Sequence, residues 1–259
     1  MTWILVTGGS SPIGQAIVTR MTSQGMSVVL QCNRHQSRAV EFASELSARG
    51  NEVVVIRQRL DRSGDPLKLV QRCLVDVGPI DHIAHVAATG VMRSAQDVKS
   101  KHLSWSASVT AYAFVELMVA LRPRSAVAVS STGATQVVPN YLPVAMAKSA
   151  LETAVRYLAV ELAPETRVNG IVAGLVRTPS ALLLKQDAGR LLEDAEQATP
   201  MKRLVTPSDI ADVAAYLLSE QASMINGANI DVDGGLSLRW NREVNALQLP
   251  VSSPSALTT

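Results

Sequence analysis

A tyrosine and a lysine stand close together in the segment NYLPVAMAK, residues 140–148. Tyr141 precedes Lys148 by a spacing that on a helix is about two turns, so both side chains share nearly the same face. A phenol can give a proton to a reacting oxygen, and an ammonium group nearby favours negative charge. The pair therefore predicts acid catalysis beside a fixed cation. Pro143 fits the first turn of such a helix, which puts Tyr141 at or just before its N-terminal cap.

A glycine-rich turn, TGGSSPIG, follows a short apolar run near the N-terminus. Between a first strand and a first helix, such a turn lets the backbone approach a pyrophosphate, which the helix N-terminus then holds. Pro12 has no N–H to offer a phosphate, but proline is tolerated at the first helical position. The turn predicts a dinucleotide site formed by Gly8, Ser10, Ser11, Ile13 and Gly14.

The loop QCNRHQSR, residues 31–38, follows the second strand-like run and contains no acidic residue. A carboxylate at this place would bind the ribose hydroxyls of NAD. Arg34, His35 and Arg38 instead offer cations to a 2′-phosphate, so the loop favours NADPH as the cofactor. A solvated basic loop without a ligand is the alternative interpretation.

Apolar runs and helical patterns alternate along most of the chain. The runs cover residues 3–7, 27–32, 52–57, 81–87, 125–130, 167–172 and 228–232, and the helical patterns cover 13–23, 38–48, 66–76, 106–121, 144–163 and 208–219. Strands that are apolar on both faces and alternate with helices are typical of parallel sheets. The pattern predicts an α/β fold with one domain over residues 1–240, a Rossmann-type doubly wound parallel sheet.

The composition excludes several classes of protein. Hydrophobic residues make up 47% of the 259 residues and the net charge is +2, with no polybasic run, so nucleic acid is not an expected partner. Cys32 and Cys73 are expected to be free thiols in a reducing compartment. No ligand cluster indicates a metal, and Asp231 and Asp233 are expected to cap turns. No run reaches the ~18 apolar residues of a membrane span, so we expect a soluble, cytoplasmic protein.

The stretch 140–164, NYLPVAMAKSALETAVRYLAVELAP, resembles the active-site helix of the type III, NADPH-dependent enoyl-acyl-carrier-protein reductases, a branch of the short-chain dehydrogenases/reductases. Further similar segments are GVMR (90–93), KHLSW (101–105), LLEDAEQATP (191–200) and INGANIDVDGG (225–235). The resemblance implies that Tyr141 donates a proton or stabilises an enolate and that Lys148 binds the nicotinamide ribose. It also implies that Ser131 is the active-site serine.

The spacing of tyrosine and lysine distinguishes two reactions within that family. In the family that the chain resembles, ketone-reducing members place the tyrosine four residues before the lysine. This chain has Val144 at that position. In ketone reduction the oxygen that needs a proton is bonded to the carbon that accepts the hydride. In an enoyl thioester the hydride goes to the β-carbon and charge develops on the thioester oxygen, so the donor must be displaced. The spacing therefore predicts enoyl thioester reduction, with the acyl chain on a carrier protein or on CoA, in fatty-acid or polyketide-like biosynthesis.

The resemblance also implies further cofactor contacts. Val176 and Thr178 fall where the family holds the nicotinamide carboxamide, and Leu60, Asp61 and Ala87 fall at further cofactor positions. The chain departs from the family in having Arg59 before a displaced Asp61 and Thr110 in place of a helix asparagine. His85, at the end of a predicted strand, is expected to make a backbone hydrogen bond rather than to act as a base.

Two segments do not follow the alternation. Residues 177–206 are punctuated by prolines and contain an amphipathic helical pattern, which predicts a helical substrate lid; a surface decoration is the alternative. Residues 241–259 are rich in Ser, Pro and Thr and are expected to be frayed or laid on a neighbour.

The helix predicted over 144–163 is apolar on more than one face, which indicates burial on two sides. Glu152 and Arg156 are expected to pair on the remaining face. In the family that the chain resembles, this helix forms the dimer core of a tetramer, so we expect a homodimer or homotetramer with residues 106–121 as the partner helix.

Two rival functions remain open from the sequence. One is a ketoreductase or alcohol dehydrogenase of the same fold, against which Val144 counts. The other is a non-catalytic dinucleotide-binding protein, which the departures at Pro12, His85, Thr110 and Arg59 motivate and the Ser131, Tyr141 and Lys148 set opposes.

Overall fold

A computed structural model describes residues 1–177 and 188–239 of the chain. Seven parallel strands form one sheet in the order β3-β2-β1-β4-β5-β6-β7. The strands are β1 (Trp3–Thr7), β2 (Ser27–Cys32), β3 (Val53–Arg57), β4 (His82–His85), β5 (Ser125–Ser131), β6 (Arg167–Ala173) and β7 (Asn229–Val232). The strand order reverses between β1 and β4, which is where doubly wound sheets open a crevice for ligands.

Helices connect the strands and cover both faces of the sheet. They are α1 (Pro12–Ser23), α2 (Gln36–Ser47), α3 (Asp65–Asp76), α4 (Ser100–Ala107), α5 (Ala113–Leu121), α6 (Leu142–Glu161), α7 (Ala188–Ala198) and α8 (Pro207–Leu218). A π-helical turn (Ser108–Tyr112) joins α4 to α5 without a break. Short 3₁₀ turns at Thr132–Ala134, Glu220–Ala222 and Leu236–Arg239 complete the described elements.

The sheet separates two apolar layers. On one side, Ile17, Val18 and Met21 of α1 pack with Ile210 and Ala214 of α8. On the other side, Phe114 and Leu117 of α5 pack with Leu151 and Val155 of α6. The helix Ser100–Leu121 is long and apolar enough to span a membrane by length and composition alone. Its residues Phe114, Leu117 and Met118 are fully buried in this layer, as in the core helix of a globular domain.

The predicted fold class is confirmed, and most element boundaries lie within two residues of their predicted positions. The helix predicted from residue 106 was wrong at its start, because α4 begins at Ser100. Residues 99–102 are polar and carry no acidic cap, so no start signal marked this turn. The amphipathic pattern before residue 199 does form a helix, α7. The predicted tail, 241–259, lies outside the described residues, as does part of the predicted lid.

Candidate active site

Ser131 and Tyr141 come together at the carboxyl end of β5. Tyr141 is the N-cap residue of α6, with a proline in the first turn of the helix, as predicted. The Ser131 hydroxyl is hydrogen-bonded to the Tyr141 phenol. Gly133 lies against the phenol ring, and a Cβ at this glycine would be only 2.6 Å from Tyr141 Cε1. The 3₁₀ turn after β5 therefore shapes the seat of the tyrosine as well as supplying the serine.

The Tyr141 phenol is held in its protonated form. Burial raises its pKa, and the hydrogen bond from Ser131 opposes that rise only in part. The charge of Lys148 does not lower the pKa of Tyr141, although a nearby ammonium group was expected to favour the phenolate. At neutral pH the group is therefore a donor of a proton or hydrogen bond rather than a base.

Lys148 lies further along the same helix and is buried, with 6% of its surface exposed. Its Nζ donates a hydrogen bond to the carbonyl oxygen of Val129 at 2.5 Å. This carbonyl lies two residues before Ser131 on β5, so the carboxyl end of one strand positions both Ser131 and Lys148. Burial lowers the pKa of Lys148 to about 8, and the negative charge of Glu152 acts in the opposite direction.

Glu152 faces the interior, which corrects the predicted ion pair with Arg156. The Ser130 hydroxyl donates to Glu152 Oε1 at 2.5 Å, and 9% of Glu152 is exposed. Arg156 instead donates to Thr153 Oγ1 at 3.0 Å. Glu152 is four residues after Lys148 as well as four before Arg156, so helical spacing alone does not decide which cation it approaches.

His85 occupies the end of β4 and is fully buried. Its Nε2 lies 3.1 Å from the Thr110 carbonyl oxygen, which can only accept, so Nε2 carries the proton. Nδ1 therefore accepts from the Thr7 hydroxyl at 2.9 Å. Burial first, and then the charge of Lys148, lower the pKa of His85 to about 3. The histidine is a neutral bridge from the glycine turn to the π-helical turn, and its predicted backbone hydrogen bond is confirmed.

Val144 occupies the position at which a four-residue spacing would place the tyrosine, and it is buried. Its side chain packs directly on Gly90, where a Cβ would collide with Val144 Cγ2. The start of α6 therefore meets the loop after β4 closely at this position. Gly90 belongs to the segment GVMR, whose similarity to the family did not predict this contact.

The glycine turn has the geometry of a phosphate-binding loop. Gly8 adopts φ +65°, and a Cβ there would lie 2.9 Å from the Ala87 backbone nitrogen. Ser11 caps α1 by accepting from the Gly14 N–H at 3.1 Å, and Pro12 takes the first helical position as predicted. The N–H groups of Ser10 and Ile13 have no acceptor within the described part of the chain. The turn can therefore still offer donors at the positive end of α1 despite the proline.

A second contact holds the turn to its neighbours and was not predicted. Gln31 Oε1 accepts from the Gly8 N–H at 2.8 Å, while Gln31 Nε2 donates to the Gln58 carbonyl at 2.6 Å. Gln31 thus ties the ends of β1, β2 and β3 together at the crevice. A buried glutamine in an otherwise apolar strand is the sequence feature that could have indicated it.

The remaining cofactor candidates lie around the same crevice. Arg34 is exposed just after β2, and Arg38 Nη2 donates to Gln15 Oε1 on α1 at 3.3 Å. Leu60 is buried, and Asp61 forms a two-point ion pair with Arg59, with 2.6 Å between the closer atoms.

The Asp61 carboxylate also accepts a hydrogen bond from the Trp105 side chain. The hydrogen bond from Arg59 first, and that from Trp105 to a lesser extent, lower the pKa of Asp61. Val176 is buried and forms an isolated bridge with Val205. Thr178 lies outside the described residues.

Taken as a whole, the crevice fits a dinucleotide. Three features meet at the carboxyl ends of β1 and β4: a glycine that packs against the Ala87 backbone, free N–H groups at a helix N-terminus, and the reversal of strand order. Asp233 does not compete for a cation there, because its carboxylate accepts from the Gly235 and Ser237 N–H groups at 2.8 Å each, as a turn cap. Ser131, the protonated phenol of Tyr141 and the buried Lys148 lie beside this crevice, at the carboxyl end of β5. These parts define a short-chain dehydrogenase/reductase.

The comparisons with known proteins agree with this class. The family model described as enoyl-(acyl carrier protein) reductase matches residues 8–237. The chain is 31% identical over 256 residues to the enoyl-[acyl-carrier-protein] reductase [NADH] FabI of Haemophilus influenzae, covering 91% of this chain and 94% of that one. It is 28% identical to the 1-cyclohexenylcarbonyl-CoA reductase of Streptomyces collinus, over 90% of this chain and 86% of the other.

Among solved structures, the enoyl-[acyl-carrier-protein] reductase (NADH) of Aquifex aeolicus superposes with a TM-score of 0.81 at 25% identity, covering 92% of this chain and 96% of that one. The chain belongs to the enoyl-(acyl carrier protein) reductase family of short-chain dehydrogenases/reductases. It is an oxidoreductase of the enoyl-reductase type, in a family of nicotinamide-dinucleotide-binding reductases.

Proposed function

We propose that the protein reduces the carbon–carbon double bond of an enoyl thioester carried on an acyl carrier protein or on CoA, with NADPH as the reductant. The observation that carries the proposal is the position of the phenol. Tyr141 caps α6 two turns before Lys148, while Val144 fills the nearer position and packs on Gly90. The donor is therefore displaced along the cleft, as charge on a thioester oxygen requires.

The protein's own groups act on that oxygen and on its surroundings. Bound NADPH would supply the hydride to the β-carbon. Tyr141 gives a hydrogen bond, and then its proton, to the thioester oxygen as negative charge develops there. Its raised pKa suits this role because the group is fully protonated beforehand. Ser131 holds the phenol by hydrogen bonding, and Lys148 places a cation where the ribose of the cofactor would lie.

The choice of NADPH rests on charge after β2. Arg34 and Arg38 follow β2 and offer cations to a 2′-phosphate, and residues 31–38 contain no acid to bind a free ribose hydroxyl. Several relatives, including the FabI of Haemophilus influenzae, are named as NADH enzymes. The preference for NADPH over NADH is therefore measured directly. We expect a rate ratio of NADPH to NADH above 10 that falls roughly tenfold or more in Arg34→Ala/Arg38→Ala. A ratio near or below one in the wild type would assign the chain to NADH.

The reaction is tested with two substrates and two tyrosines. NADPH consumption is followed with crotonyl and acetoacetyl thioesters for the wild type, Tyr141→Phe and Tyr216→Phe. Tyr216 is an exposed tyrosine on α8 and serves as the matched control. We expect turnover of the crotonyl thioester alone, lost by about 10²-fold or more in Tyr141→Phe and unchanged in Tyr216→Phe. Turnover of the acetoacetyl thioester alone would make the protein a ketoreductase.

A further inference from the structure

A cavity of about 390 Å³ lies beside the start of α4, outside the site described above. It is lined by Arg93, Asp97, Lys99, Lys101 and His102. Three of its five lining residues are lysine or arginine, and one is an acid. A concave site with this charge selects for an anionic ligand.

The cations of this pocket have no counter-ion. Arg93, Lys99 and Lys101 are exposed and make no ion pair with any acid among the described residues. The one carboxylate of the pocket, Asp97, accepts from the Ser94 hydroxyl at 2.8 Å. The pocket thus carries three fixed positive charges and one negative charge, and the Asp97 carboxylate is hydrogen-bonded to Ser94.

The position of the lysines is unfavourable for folding. Lys99 caps α4 and Lys101 lies in its first turn, where no acidic residue is present. The N-terminus of a helix is the positive end of its dipole, so cations there are destabilising and anions are stabilising. Residues that oppose local stability without a compensating contact are expected at functional positions. A bound anion would be attracted by the lysines and by the helix end together.

The pocket is joined to the active site by the backbone. The Arg93 N–H donates to the Asn140 carbonyl at 2.7 Å, and Asn140 is the residue before Tyr141. The pocket loop follows β4 and the tyrosine loop follows β5, which are neighbours in the sheet. A ligand anchored by its anionic end in the pocket can therefore extend along this edge toward Tyr141.

We propose that this pocket binds the phosphate of the phosphopantetheine arm that carries the acyl thioester. The inference rests on the proposed function, since it assigns the anionic end of that substrate. Guanidinium and ammonium groups are the side chains that bind phosphates. The arm ends in a phosphate both in CoA and in a carrier protein, so the pocket recognises the chemistry common to both carriers.

The test compares substrates that differ only beyond the pantetheine. The wild type and Lys99→Gln/Lys101→Gln are assayed with crotonyl thioesters of pantetheine, of 4′-phosphopantetheine and of CoA. We expect the variant to raise KM for the phosphate-bearing thioesters roughly tenfold, with kcat within about twofold, and to leave kcat/KM for the pantetheine thioester unchanged. A loss with both phosphate-bearing substrates assigns the pocket to the 4′-phosphate. A loss with CoA alone assigns it to the adenosine phosphates.

A matched control removes two exposed cations elsewhere. Arg49→Gln/Arg122→Gln changes the net charge equally. Arg122 borders a different cavity, at the amino ends of β4 and β5. The control should behave as the wild type. An equal loss with the pantetheine thioester, or no loss with any substrate, would overturn the proposal.

Direct binding separates this inference from the proposed reaction. 4′-Phosphopantetheine is titrated by calorimetry into the NADPH-saturated wild type and the lysine variant. Weaker binding to the variant supports the pocket even where no thioester is turned over, which would refute the reaction alone. Equal binding to both proteins, or none to the wild type, overturns the pocket. The melting temperature of the lysine variant should be equal to or above that of the wild type, because unfavourable charges have been removed.

Discussion

At the scale of single residues, the protonation of Lys148 depends on two opposing surroundings. Burial lowers its pKa to about 8, and the carboxylate of Glu152, one turn further along α6, acts against this effect. Among the described residues, His85 of β4 also interacts with the charge of Lys148, and it stays neutral above a pH of about 3. Glu152 is therefore the charge that keeps the ammonium form at neutral pH.

We predict that Glu152→Gln moves the alkaline limb of the activity profile to lower pH. The cation needed for the proposed reaction is lost as pH rises through the pKa of Lys148. Removing the carboxylate removes a contribution that raises this pKa, so the loss should begin roughly one pH unit earlier. The amide can still accept from Ser130, so the change is one of charge rather than of contact. The measurement is kcat/KM between pH 6 and 10.

Glu161→Gln is the control, because Glu161 is exposed at the end of the same helix. Its profile should overlay the wild type, and Glu152→Asp should restore most of the original limb. An unchanged profile in Glu152→Gln would show that the carboxylate has no influence on the catalytic cation.

At the scale of elements, the 3₁₀ turn after β5 positions Tyr141. We predict that Gly133→Ala lowers kcat by 10- to 100-fold, because a methyl group at this place must push the phenol ring away, and small displacements of a catalytic group are that costly. The affinity for NADPH should stay within about twofold, since the glycine turn is untouched. Steady-state kinetics and a cofactor titration give both quantities.

The control for this variant is Thr135→Ala, an exposed change at the end of the same turn. It should retain kcat within about twofold. A Gly133→Ala enzyme with normal kcat would mean that the ring contact does not control the position of the phenol.

The same elements show what the sequence could and could not reveal. The strands and the place of Tyr141 at the cap of α6 followed from local signals, namely apolar runs and Pro143. The contact of Gly133 with the tyrosine and that of Gly90 with Val144 could not be read, because each joins segments that meet only through the sheet. The inward turn of Glu152 was missed for a related reason: two cations lie four residues away on the helix, and only the tertiary structure shows which one is buried.

At the scale of the whole molecule, an apolar surface remains on α6 and on the helix beside it. Met146, Tyr157 and Val160 are 51%, 65% and 78% exposed on α6. Tyr112 and Val119, two turns apart on the neighbouring helix, are 57% and 52% exposed. Both helices pack on the same side of the sheet through Leu117, Leu151 and their neighbours. Exposed apolar residues grouped on two helices that pack together are typical of an interface between proteins.

We predict that the protein associates through this surface as a homodimer or homotetramer and that Val160→Glu shifts it toward the monomer. A symmetric interface would contain the residue twice, so it would bury two unpaired carboxylates. Light scattering after size exclusion measures the mass over a range of concentrations. The control is Val75→Glu, an equally exposed valine on α3, which should keep the mass of the wild type. A wild type that is monomeric at micromolar concentration, or a Val160→Glu protein of unchanged mass, would refute this interface.

Since α6 also carries Tyr141 and Lys148, we further expect the dissociated variant to lose activity in proportion to its monomer fraction.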